Sequence, residues 1–359
     1  MFKNIVFFLI FCSSSVFSQE VVPLIDFNGY FRSFQNGFFR QLEFQRIRNY
    51  KFGDNVVGYT DNRGNLRVFD GGKPNDLANV DAEYEVSDNL LTWKIGPTLN
   101  VWDQGNLKTL TFNADNYFVK DSIIVFQDTR FNTLNVYYKN EIIPLTLSSG
   151  QSIIPDCVGE NIIAYRDNGN FYKVFWNGNI YDLDVWHNPI IFEAGTNILA
   201  FNDPINGTFA LFENGQFLDL ENFYVERYKA GNESVVYTDR SGNFMRYHKG
   251  KKQKISSFIP TNWDLKDDVL FWVENGISFA LIDDVKVELG RYKIDDFIIK
   301  NKMIAYRNIQ GGVSCVYNGE VKELTLQRDA QFSIHGNAVL VELFNKSFVL
   351  FKEGVKTTL

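Results

Sequence analysis

The chain has 359 residues, and its 36 Lys and Arg against 43 Asp and Glu leave a net charge of −7. An acidic chain with no basic domain argues against a nucleic-acid partner, since phosphate contacts need clustered cations. Three cysteines argue against a disulfide-built fold, and 34 Phe, 17 Tyr and 6 Trp supply a large core of aromatic, β-prone residues instead.

Residues 1 to 18 read as a secretory signal peptide. Lys3 is the charged start, Ile5 to Phe11 the apolar run and Val16-Phe17-Ser18 a small-x-small cleavage site before Gln19. The run is too short to span a bilayer, and Phe11 weakens a lipoprotein reading through Cys12. Removal of Lys3 takes the net charge from −7 to −8. No later apolar run reaches spanning length, so the expectation is an exported, periplasmic or extracellular chain with no membrane span. Cys157 and Cys315 remain, in distant segments.

From Val21 onward the chain repeats itself. The best-preserved copy, Asn161 to Leu183, holds the apolar run Ile162–Tyr165, a turn at Asp167-Asn168-Gly169-Asn170, the run Phe171–Phe175, a second turn at Asn177-Gly178 and a closing run to Leu183. The aromatic that ends its first run has counterparts at Tyr59, Trp93, Phe126, Phe201, Tyr237, Trp272 and Tyr306, with Glu342 at the last position, spaced by 33 to 39 residues. A second marker, the apolar residue closing the last run, recurs at Leu42, Leu77, Leu110, Leu145, Leu183, Leu220, Ile255, Leu289, Leu324 and Leu359. Between copies lies a further short strand with a tight turn, as in YKFGDN from Tyr50 and YEVSDN from Tyr84.

Each unit is therefore four short antiparallel strands in about 35 residues, with helical periodicity nowhere sustained. One such unit buries too little to fold alone, whereas a ring of them covers both faces of every sheet. The sequence predicts an all-β propeller of nine to ten four-stranded blades as a single domain over 19–359, with the first copy, Val21 to Leu42, lacking one strand. Two five-bladed rings or an open ring also satisfy the count, although the longest interval, 146–155, does not halve the chain. The repeat resembles the short units of WD40-like and TolB-like β-propellers. Trp102-Asp103 is the one Trp-Asp dipeptide in the expected kind of place, and the Ser-Pro-Asp-Gly turn of TolB-like repeats is absent. That resemblance implies the fold and no activity.

In a propeller the hairpins between second and third strands share a face with the blade-to-blade crossovers, and this face carries the longer connections. It holds a repeated Asp at 26, 61, 128, 167, 203 and 239, with Glu274 at a seventh place, read as turn residues that accept their own hairpin's amides rather than as a cation ring. The crossovers place Trp186, His187 and Asn188 together, and Asn262 and Trp263 beside Asp264. Tyr50, Tyr84 and Tyr117 open inner strands near the channel mouth. Exposed Trp and Tyr suit sugar stacking or a protein hot spot, and these eight residues are the candidate ligand-binding set.

The three histidines have no metal-ligand spacing, and no G-x-S-x-G, P-loop or H-E-x-x-H motif occurs. No cofactor, metal or catalytic residue is therefore expected. The basic run from Lys249 to Lys254 reads as a solvated hairpin. The leading expectation is a non-enzymatic propeller that binds a protein or glycan partner through its crossover-loop face. The alternatives are a carbohydrate-active hydrolase or lyase using channel-mouth carboxylates, and a scaffold of a cell-envelope assembly.

Overall fold

The computed structural model describes residues 20–35, 37–147, 154–186 and 189–358. The signal segment, part of the 146–155 interval, His187, Asn188 and Leu359 lie outside the described residues. All regular structure described is β: ten consecutive antiparallel sheets, one per repeat, with strands in chain order from the channel outward. They form the blades of a propeller at 22–43, 49–78, 83–111, 114–147, 157–186, 192–221, 228–256, 262–290, 297–325 and 331–358, numbered 1 to 10 below. Among the described residues, blades 2 to 10 have four strands and blade 1 has three.

Local chemistry sets the strands. In blade 5, Asn177 and Gly178 both take positive φ (49° and 82°), the backbone a two-residue hairpin needs to match strand twist. Alternation then buries one side of each sheet against the blade before it and the other against the blade after. Ten apolar clusters result, one in each interface between neighbours. The cluster between blades 5 and 6 has 11 buried residues, whereas those joining blade 1 to blade 2 and to blade 10 have six each. Blade 1 is the least consolidated member of a closed ring.

The pairing register shows a rule of the inner strands. The central aromatic of the second strand faces an aromatic of the innermost strand in blade after blade: Tyr59 with Tyr50, Trp93 with Tyr84, Phe126 with Tyr117, Phe201 with Phe192, Tyr237 with Tyr228, Trp272 with Trp263 and Tyr306 with Phe297. In blade 10, Phe332 faces Val341, so the repeat marker there is Val341 and not Glu342. A shift of one residue turns a strand side chain to the opposite face, and Glu342 points away from the position that the aromatics occupy. In blade 5 the inner position falls to Asp156.

Among the described residues blade 1 has no innermost strand, and Val22–Ile25 is its channel-side edge. Pro23 sits in that edge. In blade 2 the turn bond from Gly53 N–H to Val56 O sets the pairing frame, which directs the backbone of Val56, Gly58 and Thr60 toward the inner strand. An offset of 35 residues carries these to Val21, Pro23 and Ile25. Proline lacks the N–H that an inner strand would accept, which is where edge strands place it.

Candidate functional site

The two ends of the channel differ in chemistry. At one end lie the tight turns between first and second strands, and these converge. The Glu160 and Thr196 backbones pair in parallel, as do those of Thr196 and Asn232. A Cβ added at Gly195 would stand 1.9 Å from the Gly231 carbonyl oxygen, and one at Gly159 would stand 2.4 Å from that of Gly195. Only glycine permits that approach.

Side chains complete the clasp. Asp54 N–H donates to Asp88 Oδ1 at 3.1 Å, Asp88 N–H to Asp121 Oδ1 at 2.7 Å, and Asp121 N–H to Glu160. Lys300 of blade 9 crosses the channel to Asp54 of blade 2 (2.5 Å) and Asp88 of blade 3 (2.6 Å). Asp54 also accepts from the Asn301 amide (2.7 Å) and from Gly336 N–H (2.8 Å), which joins blades 9 and 10 to blade 2 past the shortened blade 1. Glu20 accepts from Asn337 N–H at 3.0 Å and pairs with Lys352 at 2.8 Å, pinning blade 1 to blade 10.

Burial raises the carboxyls that lack a full counter-charge. Asp88 is pushed up to about 6, first by burial and then by Asp121 and Asp54. Glu160 is pushed up to about 7 by burial and by Asp121. Burial works the same way on Asp54, but the charge and hydrogen bonds of Lys300, with Asn301 and Gly336, hold it below its ordinary range. Lys300 occupies the place a cation would take, and among the described residues no group of three His, Cys, Asp or Glu is arranged to hold a metal. The sequence signal for this cluster is the D-N and D-S turn after the inner strands of blades 2, 3 and 4, which resembles ordinary turn chemistry when read one repeat at a time.

The opposite end carries the hairpins and crossovers and stays open. The repeated hairpin Asp residues accept their own turn amides there: Asp61 from Arg63 and Asn65 at 2.8 and 2.9 Å, Asp167 from Gly169 and Phe171 at 2.9 and 3.0 Å, and Asp239 from Ser241 and Asn243, both at 2.8 Å. They are turn residues and form no shared ring.

Beside them, at blade 1, lies a cleft of about 570 Å³, within the range of ordinary ligand pockets. Leu24 and Ile25 are its floor, Tyr50 and Phe52 of blade 2 one wall, Phe332, Ser333 and Phe348 of blade 10 the other, and Asp26, Arg46, Glu342 and Lys346 stand at its mouth. On the side of the closed end the Phe52 ring of its wall meets the His335 ring, tilted by 30°, at 4.1 Å.

Of the eight residues singled out from the sequence, six are described, and these six are spread over different blades rather than gathered in one site. Tyr50 lines the cleft and packs on Phe31 at 5.2 Å. Its hydroxyl is raised by burial and by the Glu342 charge. Tyr84 is buried, donates to Asn49 Oδ1 at 2.6 Å, and burial pushes it up to about 12. Tyr117 is half-buried in blade 4 and reaches about 12 through burial, then Glu83 and Glu85. Trp186 is 52 % exposed on the open face, stacked 6.2 Å from Phe171, its indole N–H donating to Gly169 O at 3.1 Å. Trp263 lies in the innermost strand Asn262–Lys266 of blade 8, only 6 % exposed, against Phe244 at 5.4 Å, with Asn262 half-buried beside it. Alternation along a strand, invisible in the motif alone, turned one tryptophan outward and the other into a blade interface.

Fold and closure define a β-propeller of ten blades with one incomplete blade. The model for the 10-bladed beta propeller domain matches residues 15–356, and the chain belongs to that family. The chain has no match among curated proteins. Among solved structures it is similar to the computationally designed Ika8 protein (14 % identity, TM-score 0.38, 93 % of this chain and 99 % of that one). It is also similar to Prp20p from Saccharomyces cerevisiae, whose binding to Gsp1p and histones is described (11 %, 0.33, 65 % and 79 %), and to streptogramin B lyase (13 %, 0.31, 61 % and 87 %). Likenesses at this level carry no functional argument.

Proposed function

We propose that this protein is an exported, non-enzymatic β-propeller that captures a protein or glycan partner on its crossover-loop face. The observation that carries the reading is where the strongly exposed apolar side chains lie. Phe27, Phe44, Phe112, Ile191, Ile309 and Phe344, from hairpins and crossovers around the ring, are each more than 60 % exposed. On the tight-turn side, Phe38 and Val355 reach that level. Large apolar groups gathered on one face and surrounded by polar loops are the usual mark of an interaction surface, and the Trp186 and Phe171 pair adds a flat aromatic platform suited to a sugar ring or a peptide.

The test is capture from a native extracellular or periplasmic extract by immobilised protein. Joint replacement of Phe44, Phe112, Ile191 and Ile309 by Ser should abolish capture while leaving the melting curve in place. Unchanged capture by a folded variant overturns the reading.

A further inference from the structure

We propose that the cleft at blade 1 is the vacant slot of an inner strand, and that it takes an extended peptide segment of the partner, anchored by one aromatic side chain. The inference rests on the binding reading above and names the chemistry that this face would recognise.

The template is internal to the molecule. In blades 2, 6, 7 and 8 the inner-strand aromatic packs on an aromatic in the first two residues of the third strand of the preceding blade, or of its counterpart in blade 1: Tyr50 on Phe31 at 5.2 Å, Phe192 on Tyr172 at 5.4 Å, Tyr228 on Phe209 at 4.9 Å and Trp263 on Phe244 at 5.4 Å. In blade 10 the matching residue is Phe348, paired with Glu342 as Phe31 is with Ile25. Among the described residues blade 1 has no inner strand to set an aromatic on it, and Phe348 and Leu24 line the cleft instead. The cleft continues the aromatic seam that runs through the other blade interfaces.

The edge fits a short, antiparallel visitor. By the blade 2 frame, the carbonyls of Pro23 and Ile25 and the Ile25 N–H face the slot, so the visitor donates more backbone bonds than it accepts. Pro23 limits pairing to this short stretch, and the packed Phe52 and His335 rings close the slot beyond it. Strand addition of this kind draws affinity from backbone bonds and specificity from alternate side-chain pockets. At the mouth, Arg46 and Lys346 alternate with Asp26 and Glu342, which suits a polar peptide flanking the anchor.

The probe is a blocked, fluorescent peptide copying residues 49–53, the inner strand of blade 2, titrated against protein beginning at Gln19 and followed by anisotropy. Saturable binding is expected, at least tenfold weaker for the analogue with alanine in place of the tyrosine. Two variants challenge the slot. Ser333→Trp fills it from the blade 10 wall and should weaken binding at least tenfold with the fold retained. A copy of residues 49–55 grafted directly ahead of Val21, replacing Glu20 and all that precedes it, should raise the melting temperature and remove peptide binding. Absence of binding, binding indifferent to the tyrosine, or a graft that neither stabilises nor competes overturns the proposal. So does protein carrying residues 1–18 if it excludes the peptide as the graft does, since the chain itself would then be the occupant. None of these outcomes alters partner capture by the rim residues, which is read separately in the four-serine variant.

Discussion

The two ends of the channel are built from the same repeat and solve opposite problems. At the tight-turn end each inner strand reverses in a few residues, the turns meet, and glycine, carboxylate and Lys300 chemistry closes the ring. At the crossover end the chain must travel from the outermost strand of one blade to the innermost of the next. The longer connections there splay and carry the exposed aromatics. The difference teaches that in a ring whose first blade lacks a strand, closure and recognition can be separated along the axis. The gap in blade 1 is bridged at one end by Asp54 and left as a cleft at the other.

Asp54→Ala should give the largest effect on this contrast. It leaves the mostly buried Lys300 with Asp88 alone, unsatisfies Gly336 N–H and leaves the Asn301 amide only its bond to Gly336 O. Removing one member of a buried pair costs about 3 to 5 kcal/mol, read as a lower urea midpoint, and the double variant with Lys300→Met should lose less than the two single effects combined. Gly195→Ala comes next. Its Cβ meets a backbone oxygen that cannot rotate away, an overpacking cost of about 2 to 3 kcal/mol, whereas Gly207→Ala, at a hairpin on the open face with nothing within 4 Å, should lose only the smaller cost of its positive φ. Near-equal losses would show that the closed end is not under tighter packing.

The carboxylate clasp also sets a pH dependence. Asp88 and Glu160 have folded pKa values of about 6 and 7, above their unfolded values of about 3.9 and 4.3, so the folded state binds the extra protons and stability falls as pH rises between about 4 and 7. Asp54 is shifted downward, and its contribution is lost only in more acidic solution. Melting temperature should therefore rise from pH 8 to pH 5, by about 1 to 3 kcal/mol in stability, and then fall. The double variant Asp88→Asn with Glu160→Gln should flatten the first limb, and an unchanged pH profile would detach the shifts from the clasp.

The smallest stability effect belongs to the open face. Trp186→Ala should change stability by no more than about 0.5 kcal/mol while weakening partner capture. Trp263→Ala, in the interface of blades 7 and 8, should cost about 3 to 5 kcal/mol. Equal losses in the two variants would erase the distinction between a recognition tryptophan and a packing one.

Much of this was legible in the chain. A period of about 35 residues with two independent markers, Tyr165-type and Leu183-type, determined the strand count per blade, a propeller of nine to ten blades and the shortened first copy, because each unit needs the same turns and the same buried alternation; a single closed ring was decided by the structure. The markers did not reveal that Phe192, Tyr228 and Phe297 belong with Tyr50, Tyr84 and Tyr117, since cross-strand partners are set by register. Nor could they separate Trp186 from Trp263, whose surroundings in sequence look alike.

What the sequence determined by itself is the local and periodic part: short β-strands, hairpin turns such as Asn177-Gly178, self-capping Asp61 and Asp167, and a repeat that must stack to bury its faces. What only the tertiary structure decided is what meets across the ring. Lys300 and Asp54 are 246 residues apart and share no motif. The cleft between Leu24, Tyr50 and Phe348 is made of an absence in one blade and the walls of its two neighbours. Such features depend on how ten copies close in space, and no single copy encodes that distance.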